Sequence, residues 1–387
     1  MNDDVRPFQI AVSDEALDDL RRRLAQSRFP VAPKSDPWRF GAEDSFMREI
    51  VEYWRDGYDW RPWEARLNSF GSRMMRVNGL DVHFLFEQGS GPNPLPVIVS
   101  HGWPSSIAEF LDLIERLAHP ERFGGDVADA LTVVVPSLPG FGFSQAPPAP
   151  FDDRRRVAEM WTQLMAQLGY ERYGAAGGDL GGSVSGWMAY DDPKVVAVHM
   201  NMQTLFPNDA DIAAEPLSAA EAAWLAEAGR QTHREVGYLV QQGTKPQTLA
   251  YGLADSPLGQ AAWILEKFKV WTNPQGDAPP PYDRDLMLTN VMLYWLTNSA
   301  ATASWYYVSM FEGRGFWMEP GGRVTTPAGF CFFPGDTLRA RPPIEHSRRT
   351  FSNIVRWENA DDGGHFPAMQ YPEVLARHLL EFFRPYH

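Results

Sequence analysis

Four short runs, "PVIVSHG", "LTVVVPSLPG", "YGAAGGD" and "VVAVHMN", succeed one another between residues 96 and 201, each built of β-branched or small apolar residues. Stretches of helical period separate them, among them "SIAEFLDLIERLA" and "RRRVAEMWTQLMAQLG". Runs that are apolar throughout, rather than alternating, belong to strands buried on both faces. A strand that rejoins the same sheet in parallel needs a long crossover, and a right-handed helical one packs best. The alternation therefore predicts an α/β fold with a mostly parallel sheet and helices on both faces. Just upstream, "MRVNGLDVHFLFEQG" alternates in the manner of a hairpin turning at Asn78-Gly79.

After Asn201 the alternation stops for roughly a hundred residues and helical periodicity takes over. "SAAEAAWLAEAGRQTHREVGYLVQQ" and "LGQAAWILEKFKVW" read as helices and "NPQGDAPPPYD" as a loop. Two further strands, in "PAGFCFFPGD" and "IVRWENADDGGHFP", and a closing helix, "PEVLARHLLEFFRPY", complete the pattern. A helical insertion thus interrupts the core, and it is expected to form a lid over the carboxyl ends of the strands, where open parallel sheets bind ligands. At the other end, "SDEALDDLRRRLAQSRFP" predicts an amphipathic helix capped by Ser13, with Leu17, Leu20 and Leu24 on one face and Pro30 ending it. "EDSFMREIVEYWRDGYDWRPWEARLNSF" continues as helix, its Trp54, Trp60 and Trp63 read as packing rather than as a ligand cage. The expected division is a helical N-terminal extension over 1–75, the first part of the core over 76–203, the lid over 204–311 and the second part of the core over 312–387.

A chain of 387 residues can bury a large core. Its formal net charge of -14 disfavours nucleic acid and anionic membranes as partners, because phosphates call for clustered Lys and Arg. The single cysteine, Cys331, excludes an internal disulfide and a thiolate zinc site, and its apolar setting reads as core. The polar start and the lack of a long apolar run predict a cytoplasmic protein without a membrane anchor. No cofactor or metal is expected, and a homodimer is compatible with the sequence.

"GGDLG", residues 177–181, follows one strand and opens a helix, which is the setting of the G-x-S-x-G nucleophile elbow, here with Asp179 at its tip. By itself it is equally a strand-to-helix turn with a carboxylate favoured by the helix dipole. His101-Gly102-Trp103-Pro104 follows another strand, where such folds place one oxyanion-hole N–H, and the residue after the nucleophile supplies the other. The donors would be the backbones of Trp103 and Leu180, with His101 bonding the loop rather than titrating. Downstream, in the order acid then histidine, come Asp336 after "GFCFFPG" and His365 in "DDGGHFPAMQYPE".

Taken together, these residues resemble the epoxide hydrolases of the microsomal type with an α/β-hydrolase fold, including the juvenile-hormone and bacterial enzymes that share an N-terminal extension. The similarity runs through "YWRDGYDWRPWEARLNSF", "HGWP", "PSLPGFGFS", "GGDLGG", "GTKPQTLAYGLADSPLGQAAWILEKF", "FPGD" and "GGHFPAMQYPE". The resemblance implies hydrolysis of an epoxide to a vicinal diol, with the epoxide and water as the only partners. A carboxylate is ionised at neutral pH and can displace at an sp3 carbon without a base, forming an alkyl ester. Asp179 would open the ring, His365 would activate water against the ester, and Asp336 would orient the imidazole. The relatives often carry Glu at that third position. They also use two lid tyrosines as acids toward the leaving alkoxide, which by similarity fall on Tyr238 and Tyr307, with Tyr306 the alternative for the second. Tyr251 reads as packed in the core with its hydroxyl bonded at the lid edge.

A haloalkane dehalogenase also places an aspartate at the elbow, but commonly follows it with a tryptophan that holds the halide; Leu180 stands there instead. A ligand-binding protein that has lost chemistry is the reading from another class. Trp224, Trp263, Trp271 and Trp305 suggest a sizeable apolar or aryl epoxide, either a xenobiotic or a natural-product intermediate such as a polyketide or enediyne epoxide, although they would equally serve a structural lid.

Overall fold

The computed structural model describes residues 5–151, 153–272, 277–311, 315–338 and 341–387. The first four residues of the polar start and residues 273–276 of the expected loop lie outside these. Within them, nine strands form one sheet: β1 Val5–Pro7, β2 Arg73–Val77, β3 Leu80–Glu87, β4 Leu95–Ser100, β5 Leu131–Pro136, β6 Tyr173–Gly177, β7 Val195–Met200, β8 Ala328–Phe332 and β9 Ile354–Asn359. Their spatial order is β1-β2-β3-β5-β4-β6-β7-β8-β9. The pairs from β1 to β5 are antiparallel and those from β5 through β9 parallel, so the sheet is mostly parallel as its apolar runs require.

The β2–β3 hairpin turns at Asn78 and Gly79, both at positive φ, as a two-residue loop of this kind requires. β5 and β6 are buried along their whole length. Helices Leu111–Ala118 and Pro372–Phe383 pack together, as do Arg155–Gln167 and Asp179–Asp191, and these two pairs cover the sheet. Cys331 is buried in β8, and burial pushes its thiol up to about 12, which suits a core residue.

The N-terminal helix Asp14–Ala25 begins where Ser13 Oγ accepts from the Ala16 N–H, and it buries Leu17, Leu20 and Leu24. Trp54 and Trp60 are buried, and the Trp54 indole N–H points at Met292 Sδ, 3.2 Å away. These rings pack rather than form a cage. β1 is the element the sequence did not announce: three residues, one of them proline, extend the sheet edge by pairing with β2.

Between β7 and β8 the named elements are helices, from Asp209–Ala214 to Val308–Phe311. Arg284–Thr297 is apolar nearly all round and buried, and Asn290 Nδ2 donates to the Pro104 carbonyl while Tyr294 Oη donates to that of Ser105. The insertion is thereby bonded to the loop after β4, at the carboxyl end of the sheet. Among the described residues no helix is long and apolar enough to cross a membrane.

Candidate active site

The elbow is tight because two chain segments meet there with no room for side chains. β6 ends at Gly177, and Asp179 opens the helix Asp179–Asp191 with φ of 48°. A left-handed backbone costs a non-glycine residue about 1–2 kcal/mol, so it persists only where the surroundings enforce it. Those surroundings are visible: a Cβ on Gly181 would strike the Ser100 carbonyl at the end of β4, and one on Gly102 would overlap the Asp179 side chain. The Thr204 hydroxyl donates to the Asp179 carbonyl at 2.7 Å and fixes the turn from a third side.

The close approach at Gly102 brings the Trp103 N–H to Asp179 Oδ1, a hydrogen bond of 2.9 Å. Leu180, buried, carries its N–H in the first turn of the helix, where no carbonyl of that helix can accept it. His101 takes no part in charge chemistry. Its Nδ1 lies 3.0 Å from the Gly102 carbonyl and Nε2 accepts from the Leu138 N–H, while burial pulls its pKa down to about 4.

Asp336 and His365 come from loops after β8 and β9. Asp336 Oδ1 accepts from the Leu338 N–H at 3.0 Å and Oδ2 lies 3.1 Å from His365 Nδ1. That contact assigns the proton to Nδ1 and turns Nε2 toward Asp179, 3.8 Å from Oδ2. The gap is longer than a hydrogen bond, so Asp179 Oδ2 accepts none from the imidazole although the two lie within ion-pair reach. The ring is held further by the His365 N–H donating to the Trp271 carbonyl and by edge-to-face contact with the Trp271 ring. Burial pulls the His365 pKa down, but the charge and hydrogen bond of Asp336, then the charges of Asp179 and Glu109, more than offset it and push it up to about 9.

Tyr238, in helix Gly237–Thr244, stacks on Trp103 with ring centroids 5.0 Å apart and meets Tyr307 edge to face at 5.5 Å. Both tyrosines line one cavity with Asp179, Leu180 and a largely apolar remainder that includes Met202, Leu239, Met310 and Leu338. The two adjacent tyrosines of the insertion differ sharply. Tyr306 Oη donates to the Pro139 carbonyl at 3.1 Å, whereas the buried Tyr307 hydroxyl has no partner among the described residues. The Trp271 indole N–H is likewise unpartnered.

One sequence expectation needs correction. Tyr251 is 72% exposed, because its helix buries Ala250 and Leu253 and a residue between them points away. Of the insertion's tryptophans, which the sequence left open between ligand contact and lid packing, Trp263 bonds Gln242, Trp224 lies on the His346 ring, and Trp271 meets the His365 ring edge to face.

Sequence reasoning also passed over Glu109 and Arg154. Glu109 is buried in a second pocket shared with Asp179 and His365, and burial pushes its carboxyl up to about 7 even though Ser105 and His365 favour its charged form. Arg154 lines the cavity itself. A signal for it existed: Arg154 lies one helical stripe from Val157, Ala158 and Trp161, all buried, so its position in a run of three arginines concealed an inward face. Among the described residues there is no cluster of His, Cys, Asp and Glu able to hold a metal ion.

Residues 5–110 match the family described as "Epoxide hydrolase N terminus", and residues 96–248 match "alpha/beta hydrolase fold". A Stigmatella aurantiaca protein named "Putative epoxide hydrolase" is 41% identical, over 98% of this chain and 85% of its own length. "Epoxide hydrolase 1" of Oryctolagus cuniculus is 31% identical, over 98% of this chain and 89% of its own. The crystal structure of juvenile hormone epoxide hydrolase from the silkworm Bombyx mori superposes with a TM-score of 0.87 at 30% identity, covering 100% of this chain and 95% of that one.

Proposed function

The chain belongs to the epoxide hydrolases that join an N-terminal extension to an α/β-hydrolase core, and from that premise we propose that it works through a covalent ester on Asp179. The observation that carries this reading is the division of labour between the two oxygens of one carboxylate: Oδ1 accepts from the Trp103 N–H, and Oδ2 lies 3.8 Å from His365 Nε2, close enough to feel its charge but without a hydrogen bond to it. In the proposed first step Oδ2 attacks an epoxide carbon from behind, the C–O bond of the ring breaks, and the leaving oxygen takes a proton from a tyrosine. The unpartnered Tyr307 hydroxyl supports its role as that donor, with Tyr238 beside it. Burial, then the nearby Tyr238 and Asp179, raises the Tyr307 pKa well above its ordinary value, which keeps its proton in place until the alkoxide forms. The helices between β7 and β8 then act as a lid, since they supply both tyrosines.

The second step needs a base. The Asp179 charge is one of the groups holding His365 protonated, and esterification removes that charge. The imidazole pKa falls at the stage where a neutral imidazole is required, and Asp336 stabilises the cation that reforms as His365 takes a proton from water. Hydroxide adds to Asp179 Cγ, negative charge collects on Oδ1 beside the Trp103 and Leu180 N–H groups, and the Cγ–Oδ2 bond breaks. The diol leaves carrying Oδ2, which takes its proton from the imidazolium; the carboxylate is rebuilt with an oxygen from water, and the proton that the added hydroxyl gives up restores the tyrosine. The apolar cavity wall suits an apolar epoxide.

The reading is tested by His365→Gln. This variant should form the Asp179 ester at a rate near that of the parent and hydrolyse it slower by about 10²-fold or more, so that intact-protein mass spectrometry finds the adduct. A variant that neither accumulates an adduct nor turns over would contradict the roles assigned to Asp179 and His365.

A further inference from the structure

Arg154 is 1% exposed and lines the cavity that holds Asp179 and Tyr307. Phe316 covers one face of its guanidinium, with Cζ 3.3 Å from the ring centroid. Nη2 donates to the Tyr306 carbonyl at 3.3 Å, while Nε and Nη1 have no acceptor among the described residues, and no described carboxylate lies within ion-pair reach. The chain treats another buried arginine differently: Arg349 is satisfied by both oxygens of Glu221 and by the carbonyls of Glu215 and Pro216. Burial pulls the Arg154 pKa down to about 10, so at neutral pH it is still a cation. A buried cation with unfilled donors costs stability that a fold does not ordinarily tolerate without return.

We propose that Arg154 is a substrate-binding residue that receives a carboxylate, so that the cavity takes epoxides with an apolar body and an acid group. This rests on the reading of the cavity as the epoxide site. An anionic substrate approaching Asp179 meets a like charge, and a fixed cation in the same cavity offsets that repulsion. The guanidinium suits the task because its planar fork matches the two oxygens of a carboxylate. Met202, Leu239, Met310 and Leu338 supply the apolar wall for the remainder.

The test uses unreactive ligands, so it does not depend on turnover. The wild-type chain is titrated calorimetrically at pH 7 with 4-phenylbutanoate and with the methyl ketone of the same skeleton, a neutral analogue of similar shape. The carboxylate should bind about tenfold tighter or more. In Arg154→Met the preference should shrink to about twofold or less, and in Arg154→Lys, which keeps the charge but not the fork, it should fall between the two. Equal binding of acid and ketone by the wild type overturns the proposal, as does a preference that survives in Arg154→Met. If Arg154→Met does not fold, judged by circular dichroism, the wild-type comparison and Arg154→Lys decide alone. Parallel turnover of a neutral aryl epoxide separates the two readings: diol formation without acid preference overturns only the role of Arg154, whereas acid preference without diol formation counts against the hydrolytic reading.

Discussion

A single backbone angle, φ of 48° at Asp179, shows how much of this site is forced by close packing. Gly102 and Gly181 let two loops meet, and the carboxylate emerges where they do. Those glycines could be read from the sequence because each stands in a motif at the end of an apolar run. Which of Tyr306 and Tyr307 faces the cavity could not be settled there, since neighbouring residues on a helical turn point about 100° apart and local sequence does not say which direction is inward. The structure separates them by hydrogen bonding. Tyr307→Phe should lower the rate of ester formation by about 10²-fold in pre-steady-state assays. Tyr306→Phe should lose its bond to Pro139 and about 1 kcal/mol of stability while ester formation stays within about threefold. A reversed pattern would move the acid role to Tyr306.

At the level of elements, the helical insertion depends on a tie that no local pattern reveals. Helix Ala219–Glu235 starts with a capping box in which Ser218 and Glu221 bond each other's backbones. The motif "SAAE" marks that start, yet the same Glu221 carboxylate also receives Arg349, whose side chain is 7% exposed against its own 1%. Only the fold brings those two residues together. Arg349 pulls the Glu221 pKa down to about 2 against the opposing effect of burial. A depressed carboxyl pKa contributes stability that is present above the unfolded value, near 4.5, and is lost as pH falls toward about 2. Glu221→Gln leaves the buried Arg349 with only the exposed Glu215 carboxylate, 3.9 Å away, as a charged partner and should cost about 3 kcal/mol at pH 7 by urea unfolding. The difference from wild type should narrow as the pH is lowered through that window; a gap independent of pH would mean the tie is packing rather than charge. The edge strand β1 was hidden for a related reason, because a three-residue Val-Arg-Pro run carries no periodic signal of its own and becomes a strand only through the partner that β2 supplies.

For the molecule as a whole, the parallel sheet was legible because strands buried on both faces have a composition of their own, and the helical insertion because a change of period persists for a hundred residues. What stayed illegible was the inward charge, Glu109 and Arg154, since local composition makes charged side chains look solvated. The proposed reaction draws on both the core and the insertion: the core supplies Asp179, His365 and Asp336, its loop after β4 supplies the Trp103 N–H, and the insertion supplies Tyr238 and Tyr307. The central claim, that an oxygen of Asp179 leaves with the product, is tested most directly by one turnover of an aryl epoxide with enzyme in excess, in water enriched in heavy oxygen. Mass spectrometry of the peptide containing Asp179 should find the label in its carboxylate, and the diol from that first turnover should be unlabelled. A labelled diol with an unlabelled Asp179 would show water attacking the ring directly and contradict the ester route.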